Sequence, residues 1–266
     1  MTTTVATWNV NSVKARIDTV LRWIDEAKPD VVGLQEIKTV NDGFPFMEFE
    51  TRGYNVAVHG QKSYNGVAIL SKHPIEDVTR GLPGNEDDDQ ARYIEAVISL
   101  PKTALRFASI YLPNGNPVGE DSSHPKYTYK LDWYERLRAR ARDLLTLEEV
   151  TVLGGDYNTI PRPGDTYDPK GWWGDALFRQ DTLDAWRALL AEGYYDAFDQ
   201  LSGADAAYTF WDYQGGAWQN NSGIRIDHLV CSPQAADRLT DLRIDKHVRE
   251  WTKPSDHVPV VGVLDI

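Results

Sequence analysis

One cysteine in 266 residues, Cys231, leaves no intramolecular disulfide to form. The fold must rest on its core, and a reducing compartment is open to it. Long apolar runs are also missing. Nothing approaches the ~20 consecutive apolar residues of a membrane span, and the first ten residues lack the apolar stretch of a secretory signal. The expected location is the cytoplasm, with no membrane partner. Positive charge is scarce: 28 lysines and arginines face 40 aspartates and glutamates, for a formal net charge of −12. That excludes a protein that coats nucleic acid through a uniformly basic surface. Local contact stays open, because screening cuts off exposed charges beyond about 8 Å at physiological salt. Two classes drop out for want of their motifs. No glycine-rich fingerprint comes after the first expected strand, which argues against a dinucleotide-binding fold, and no Gly-x-Ser-x-Gly elbow marks a serine hydrolase.

The chain is, in contrast, rich in aromatics and patterned charge. Nine tryptophans and thirteen tyrosines offer core volume and stacking surface. Lys126, Lys130, Arg136, Arg138, Arg140 and Arg142 stand against only Asp132 and Glu135 in their stretch. This is either the solvated face of a helix or a patch that tracks a phosphate backbone. Glu86-Asp-Asp-Asp89 is expected to be a solvated loop that repels misplaced backbone.

Periodicity predicts strands at 4–8, 31–34, 54–59, 66–71, 93–100, 105–111, 150–153, 208–211, 225–231, 242–245 and 258–264. Ile17, Val20, Leu21 and Ile24 lie at helical spacing and predict a helix that Pro29 stops. Further helices are expected at 129–147 and 181–192. The stretch 161–174, with three prolines and three glycines, reads as a loop. Strands outnumber helices and no internal sequence repeat is visible. This pattern implies one α/β domain spanning 1–266, with two packed sheets and helices outside.

Polar residues recur where strands should end. The clearest case is Val150-Thr-Val-Leu-Gly-Gly-Asp-Tyr-Asn158. Its apolar run reads as a buried strand, its glycines as a turn, and Asp156 and Asn158 would share a face if the segment stays extended. Asn9 and Asn11 close the first strand, Glu36 the second and Tyr111 another. Asp227 interrupts the run 225–231, and Asp256-His257 precede the last strand. In layered α/β proteins ligands sit beyond strand ends, so these residues are candidates to converge. Each has a duller reading. Glu36 can pair with Lys38, Asn9 can cap a helix, and His257 can be a satisfied core histidine. Asp227 is harder to dismiss, since a buried carboxylate needs a donor and a histidine is a good one. His228, on the opposite strand face from Asp227, is left out. Carboxylates, amides and one histidine, with no cysteine cluster, suit Mg²⁺ or Mn²⁺ over zinc and the hydrolysis of a phosphate ester.

Trp8-Asn-Val-Asn11, Leu34-Gln-Glu-Ile-Lys38, Asn65-Gly-Val-Ala-Ile-Leu-Ser71, Tyr111-Leu-Pro-Asn-Gly115, Gly155-Asp-Tyr-Asn158, Arg225-Ile-Asp-His228 and Lys253-Pro-Ser-Asp-His-Val-Pro-Val260 occur in one order. In this the chain resembles the exonuclease III-type apurinic/apyrimidinic endonucleases of the endonuclease/exonuclease/phosphatase superfamily. The resemblance spans nearly the whole chain. It implies a four-layer α/β sandwich of two mainly antiparallel or mixed sheets flanked by helices. It also implies a Mg²⁺-dependent cut 5′ to abasic sites, with Mn²⁺ able to substitute. The implied partner is double-stranded DNA with abasic or blocked 3′ ends, acted on by a monomer with accompanying 3′–5′ exonuclease or 3′-phosphodiesterase activity. Glu36 would be the main metal ligand, assisted by Asn9, Asn11 and Asp256. Asp156 would align or deprotonate water, Asn158 would position it or a phosphate oxygen, and Asp227 would orient His257 as a donor. Tyr111 would contact the phosphate or leaving oxygen. Phe210, Ile224 and Ile226 would surround the flipped-out sugar. Asn114, Arg92, Lys126 and Lys130 are the remaining substrate contacts expected. Tyr157 and the loop Thr159-Ile-Pro-Arg-Pro-Gly164 depart from the common bacterial pattern, so the balance of endonuclease and exonuclease action stays open. Two other readings remain: a relative acting on a non-DNA phosphoester, and a catalytically silent nucleic-acid-binding module.

Overall fold

The apolar runs become twelve strands in a computed structural model that describes residues 2–201 and 207–266. In chain order they are β1 (Thr2–Asn9), β2 (Val31–Gln35), β3 (Asn55–His59), β4 (Val67–Ser71), β5 (Ile75–Arg80) and β6 (Tyr93–Ser99). They continue with β7 (Ala104–Tyr111), β8 (Thr151–Asp156), β9 (Tyr195–Asp196), β10 (Asp227–Cys231), β11 (Leu239–Ile244) and β12 (Val260–Asp265). Two six-stranded sheets result, ordered β11-β12-β1-β2-β4-β3 and β5-β6-β7-β8-β10-β9. At the middle of each lies one parallel pair, β1–β2 and β7–β8, and every other pairing is antiparallel. A parallel pair needs a crossover. Helix Ile17–Ala27 supplies the first and helix Pro125–Leu145 the second.

Side-chain alternation along the strands sorts the core into layers. Val5, Val31, Ile69, Phe107, Val152 and Leu229 meet between the sheets. Ala6, Trp8, Val32, Leu34 and Leu70 face outward onto Val20, Trp23 and Ile24 of the first crossover helix. Ala108, Ile110, Leu153 and Val230 face outward onto Tyr134, Leu137 and Ala141 of the second, with Trp186 and Leu189 from helix Gln180–Ala191. The order helix, sheet, sheet, helix is the four-layer sandwich expected. Among the described residues no helix is long and apolar enough to cross a membrane.

Several boundaries differ from the sequence reading, each for a local reason. Helix Pro125–Leu145 starts four residues before 129, because the His124 ring accepts from the Lys126 N–H and Pro125 occupies the first turn. Strand β5 was not expected: it is a half-exposed edge strand with little apolar pattern. The stretch 208–211 forms single bridges and no ladder. Gly154 and Gly155 do not turn; both lie inside β8. Space is what requires Gly155, since a Cβ there would sit 2.1 Å from the Ile110 carbonyl oxygen of the neighbouring strand.

Candidate active site

The carboxyl ends of β1, β2, β7 and β8 and the amino end of β10 come out at one end of the sandwich. Asp156 pairs in register with Tyr111 on one side and Asp227 on the other. Asn9 pairs with Gln35, which leaves Glu36 just beyond the sheet. Between the sheets a buried polar chain locks these ends together. The Gln35 amide donates to Thr7 Oγ1 at 3.0 Å and to Ser109 Oγ at 2.9 Å, and Ser109 Oγ donates to the Leu34 carbonyl at 3.0 Å. The last loop is tied in by Ser255, whose hydroxyl donates to the Asn9 carbonyl at 2.8 Å and accepts the His257 N–H at 3.2 Å. Ser255 is a latch and no member of a triad. The sequence offered no signal for that role beyond its place beside His257.

The floor of the site is buried. Asn9, Asp156, Asn158, Asp227 and His257 are all at most 5% exposed. The Asn9 side-chain amide donates to Glu36 Oε1 and to Asp156 Oδ2, both at 2.9 Å, while its oxygen accepts the Asn11 N–H. It therefore turns a donor, and no free oxygen face, towards the two carboxylates. His257 Nδ1 lies 2.9 Å from Asp227 Oδ2, and its Nε2 is 3.8 Å from Asp156 Oδ2. Two hydroxyl contacts aim Asp227: Thr209 Oγ1 accepts the N–H groups of Ile226 and Asp227. Burial alone would lower the proton affinity of His257, but Asp227 and Asp156 outweigh it and hold the ring as imidazolium. Asp156 is shifted up, first by burial and then by the Asp227 charge, against the pull of His257.

Around this floor stand half-buried groups. Burial pushes the Glu36 carboxyl up, but the Lys38 ammonium and the Asn9 amide bring it below its ordinary value. Lys38 Nζ is 2.8 Å from Glu36 Oε2 and 2.6 Å from Asn11 Oδ1, and the Asn11 amide donates to Asp256 Oδ1 at 3.1 Å. Tyr111 stays protonated because burial, then the charges of Glu36 and Asp156, and a hydrogen bond to Glu36 raise it well above the phenol range. The Arg92 guanidinium stacks on its ring at 4.7 Å. Asn11, Glu36 and Asn158 all have left-handed backbones, with φ of 44°, 51° and 45°. Such strain in residues with a Cβ concentrates at functional sites. It also corrects the extended geometry expected after β8. The Asn158 N–H folds back onto Asp156 Oδ1 at 2.9 Å, so a turn and a site coincide.

Other expected residues are placed less uniformly. The Asn114 side-chain amide donates to Asn158 Oδ1 at 3.1 Å, at the exposed rim. Phe210 is half-buried and meets the His257 ring edge-on, with centroids 4.9 Å apart. Ile224 and Ile226 are buried behind it, 1% and 2% exposed, among Tyr127, Ile160 and Phe178. Lys126 is exposed at the start of its helix. His228 points away from Asp227 and stacks near Trp186, with Arg225 and Asp196 on its Nδ1 side. The basic run is largely spent inside the protein. Arg136 pairs with Asp88, Arg140 with the buried Glu95, and Arg138 and Arg142 share Glu192. The acidic loop is accordingly not free, since Asp88 also accepts from the Tyr129 hydroxyl.

Lys130 departs most from expectation. It is fully buried and cannot reach DNA. Its ammonium donates to the backbone carbonyls of Asn158 at 2.5 Å and Asn114 at 3.1 Å, clamping two rim residues from below. Burial lowers its pKa to about 7, against the attraction of Asp175 and Asp156. A neutral amine still has two N–H donors for the two carbonyls. From about pH 7 to the ordinary value of 10.5 the unfolded chain binds the proton and the folded chain releases it, so Lys130 makes stability rise with pH across that window. Lys130→Met should flatten that rise and leave two carbonyls unpaired, a loss of roughly 1–3 kcal/mol near pH 9. Urea unfolding of both proteins at pH 7 and pH 9 is the check; equal pH dependence would mean that Lys130 keeps its proton.

Two sets of groups in this site are suited to positive charge. Asp156, Asp227 and His257 each offer a ligand atom within 4.8 Å of the others. That set already holds a proton on His257. Glu36 and Asn11 instead hold the Lys38 ammonium on oxygen atoms, with Asp256 adjoining, and an all-oxygen set fits a hard divalent ion.

The chain is similar to known proteins over nearly its whole length. Residues 6–257 match the model of the Endonuclease/Exonuclease/phosphatase family. Exodeoxyribonuclease III of Haemophilus influenzae is 31% identical over 260 residues, covering 95% of this chain and 96% of the relative. The 3′ phosphatase NExo from Neisseria, solved with a product DNA hairpin, superposes with a TM-score of 0.94 at 36% identity, covering 99% and 100% of the two chains. An AP endonuclease from Archaeoglobus fulgidus superposes with a TM-score of 0.92 at 35% identity over the same shares. Matched over most of its length by that family model and by a relative 31% identical, the chain belongs to the endonuclease/exonuclease/phosphatase family.

Proposed function

We propose that this protein is a metal-dependent DNA-repair phosphodiesterase that cuts the backbone of double-stranded DNA 5′ to abasic sites. We include in that reading 3′–5′ exonuclease or 3′-phosphodiesterase action on blocked 3′ ends. The observation that carries it is that the single amide of Asn9 joins Glu36 to Asp156, with His257 of the Asp227–His257 pair 3.8 Å from Asp156. Relatives named for abasic-site and 3′-end chemistry support DNA over another phosphoester.

Glu36, Asn11 and Asp256 would hold Mg²⁺, with Mn²⁺ able to substitute. When bound, the ion would neutralise phosphate charge and acidify water. Asn9 keeps Glu36 and Asp156 aligned through its two N–H bonds. Asp156, whose affinity for a proton is raised, takes the proton of the attacking water. Protonated His257, steadied by Asp227, donates to the phosphate oxygen where charge develops. Tyr111 donates from its protonated hydroxyl to the phosphate or leaving oxygen. Asn158 and Asn114 fix the rim on which a second oxygen rests. Phe210, backed by Ile224 and Ile226, forms an apolar wall for a bare deoxyribose. Arg92 and Lys126 are the cations we assign to flanking phosphates. We place the enzyme in the cytoplasm as a monomer, where the buried Cys231 is at ease.

The test is a duplex carrying one abasic analogue, incubated with Mg²⁺ or with EDTA, alongside inositol phosphates. A single cut 5′ to the analogue, leaving a 3′ hydroxyl and lost in EDTA, is the expected result. Turnover of the small phosphoesters with no cut in the duplex would overturn the reading.

A further inference from the structure

Asn11 and Asp256 stand 245 positions apart, on the loop after β1 and the loop before β12, yet their side chains meet at 3.1 Å. Both lie beyond the strand ladders of their sheet. We infer that Arg16 and Tyr213 are positioning residues for the divalent ion. Together they latch the Asn11 loop to the Asp256 loop and so keep the oxygen set of Glu36, Asn11 and Asp256 closed. The inference rests on the ion site named in the proposed function and adds the residues that assemble it.

One guanidinium makes the joint. Arg16 Nη1 donates to the Asn11 carbonyl, Nε to the Pro254 carbonyl at 3.1 Å and Nη2 to the Tyr213 hydroxyl at 2.8 Å. The Tyr213 hydroxyl donates in turn to the same Pro254 carbonyl at 2.9 Å. One carbonyl is that of Asn11 itself and the other lies two residues before Asp256, so the fork fixes the backbone of both loops. Arg16 is held firmly where helix Ile17–Ala27 begins: its N–H donates to the Ser12 carbonyl at 3.2 Å, and its carbonyl accepts the Val20 N–H at 2.9 Å. Thr19 adds a parallel tie, its hydroxyl donating to the Thr252 carbonyl at 3.1 Å. Tyr213 is anchored from its other side. The Arg249 guanidinium lies 5.1 Å from its ring centroid and donates to the Trp211 carbonyl at 3.2 Å, and the Trp211 N–H reaches the Asp256 carbonyl at 2.9 Å.

Both loops need such a clamp because their backbones are strained. Asn11, Ser12 and Lys253 have left-handed φ of 44°, 86° and 50°, and residues with a Cβ keep that conformation only where their surroundings fix it. Arginine suits the task, since its planar fork carries donors in fixed directions and can serve three acceptors at once. The ammonium of a lysine is a single point at the end of a flexible stem and cannot span them. All three acceptors are oxygens of neutral groups, so these contacts orient the loops without forming an ion pair. Tyr213 is 49% exposed, and its place is set by its hydroxyl and by the cation beside its ring more than by burial. Hydrogen bonds that hold metal ligands in place commonly decide how tightly the metal is bound.

The test titrates Mn²⁺ alone, followed by the EPR signal of the free ion, into the parent, Arg16→Lys, Tyr213→Phe and Glu36→Gln. The first two variants keep the net charge, because deleting a cation beside the site would itself favour a divalent ion and hide a loosened loop. Arg16→Lys should weaken Mn²⁺ binding about 10–100-fold, the range for lost partners of metal ligands. Tyr213→Phe should weaken it less, about threefold to tenfold, because Arg16 keeps both carbonyls. Thermal unfolding without metal should stay close to the parent for both. If Arg16→Lys proves unstable, the Tyr213→Phe titration decides alone. At low Mg²⁺ Arg16→Lys should cut an abasic duplex slowly, and saturating Mg²⁺ should restore the rate to within about twofold, since the defect lies in holding the ion. Unchanged Mn²⁺ affinity in both variants, with the ion lost in Glu36→Gln, would overturn the latch and leave the proposed function standing. A rate loss that saturating Mg²⁺ does not restore would also overturn it, making Arg16 a support of the fold or of the substrate. A parent that takes up no Mn²⁺ would sink the metal-dependent reading, and the latch with it.

Discussion

Glu36→Gln should lower the rate of abasic-site cleavage in Mg²⁺ on the order of 10³-fold, with the fold unharmed. The amide keeps the shape of the side chain, so Asn9 can still meet an oxygen at Glu36 Oε1. What is lost is the formal charge that a hard divalent ion requires, and several kcal/mol of transition-state stabilisation with it. Little stability should be lost, because Glu36 and Lys38 are partly solvated and such pairs contribute about 0–1 kcal/mol. The two halves of the prediction are measured separately, by thermal unfolding and by single-turnover cleavage across a Mg²⁺ titration. If cleavage stays near the parent rate while unfolding is unchanged, the ion is held elsewhere, and the Asp156, Asp227 and His257 set becomes the alternative.

Asp227 and His257 should behave as one group. Asp227→Asn and His257→Asn should each cost about 10²–10³ in kcat, since each removes an oriented donor aimed at developing charge. The double variant should be little worse than either, because half of a hydrogen-bonded pair has no separate work to do. The pH profile gives a second handle. Asp227 raises the proton affinity of His257, so without its charge the imidazolium is given up at lower pH. The alkaline limb of the activity profile should therefore move to lower pH in Asp227→Asn. Full additivity in the cycle, with an unmoved alkaline limb, would mean that the two residues act independently and that the 2.9 Å contact is structural.

Much of this site was legible because its residues sit at strand ends, and the positions of strand ends are set by apolar runs. Asn9, Glu36, Tyr111, Asp156 and Asp227 each end or interrupt such a run, which is why they stand out in the sequence. Asp227 was also expected to need a donor, and the fold supplies His257 as that donor from 30 residues further on. Lys130 shows the limit. In sequence it is one cation among six on a helix, indistinguishable from Lys126 one turn earlier. Burial separates them, for Lys130 lies on the helix face turned towards Asn114 and Asn158. Trp172 and Tyr167 were hidden for a related reason, since the loop that carries them has no periodicity to say which way its side chains turn.

By itself the sequence determined ten of the twelve strands, missing β5 and β9, the two crossover helices and the ordered motifs that mark the family. Each of these depends on near neighbours: side-chain alternation, helical spacing, and residues set a few positions apart. The tertiary structure alone decided which arginines are spent on Asp88, Glu95 and Glu192, and that Asn9 faces the carboxylates with its nitrogen. It also decided that a lysine lies under Asn114 and Asn158 and that Tyr167, Trp172, Phe210 and Ile224 line one groove. Those outcomes depend on contacts between segments far apart in the chain. Burial, charge pairing and desolvation there are properties of the packed neighbourhood, and no residue carries them before the sheets close on one another.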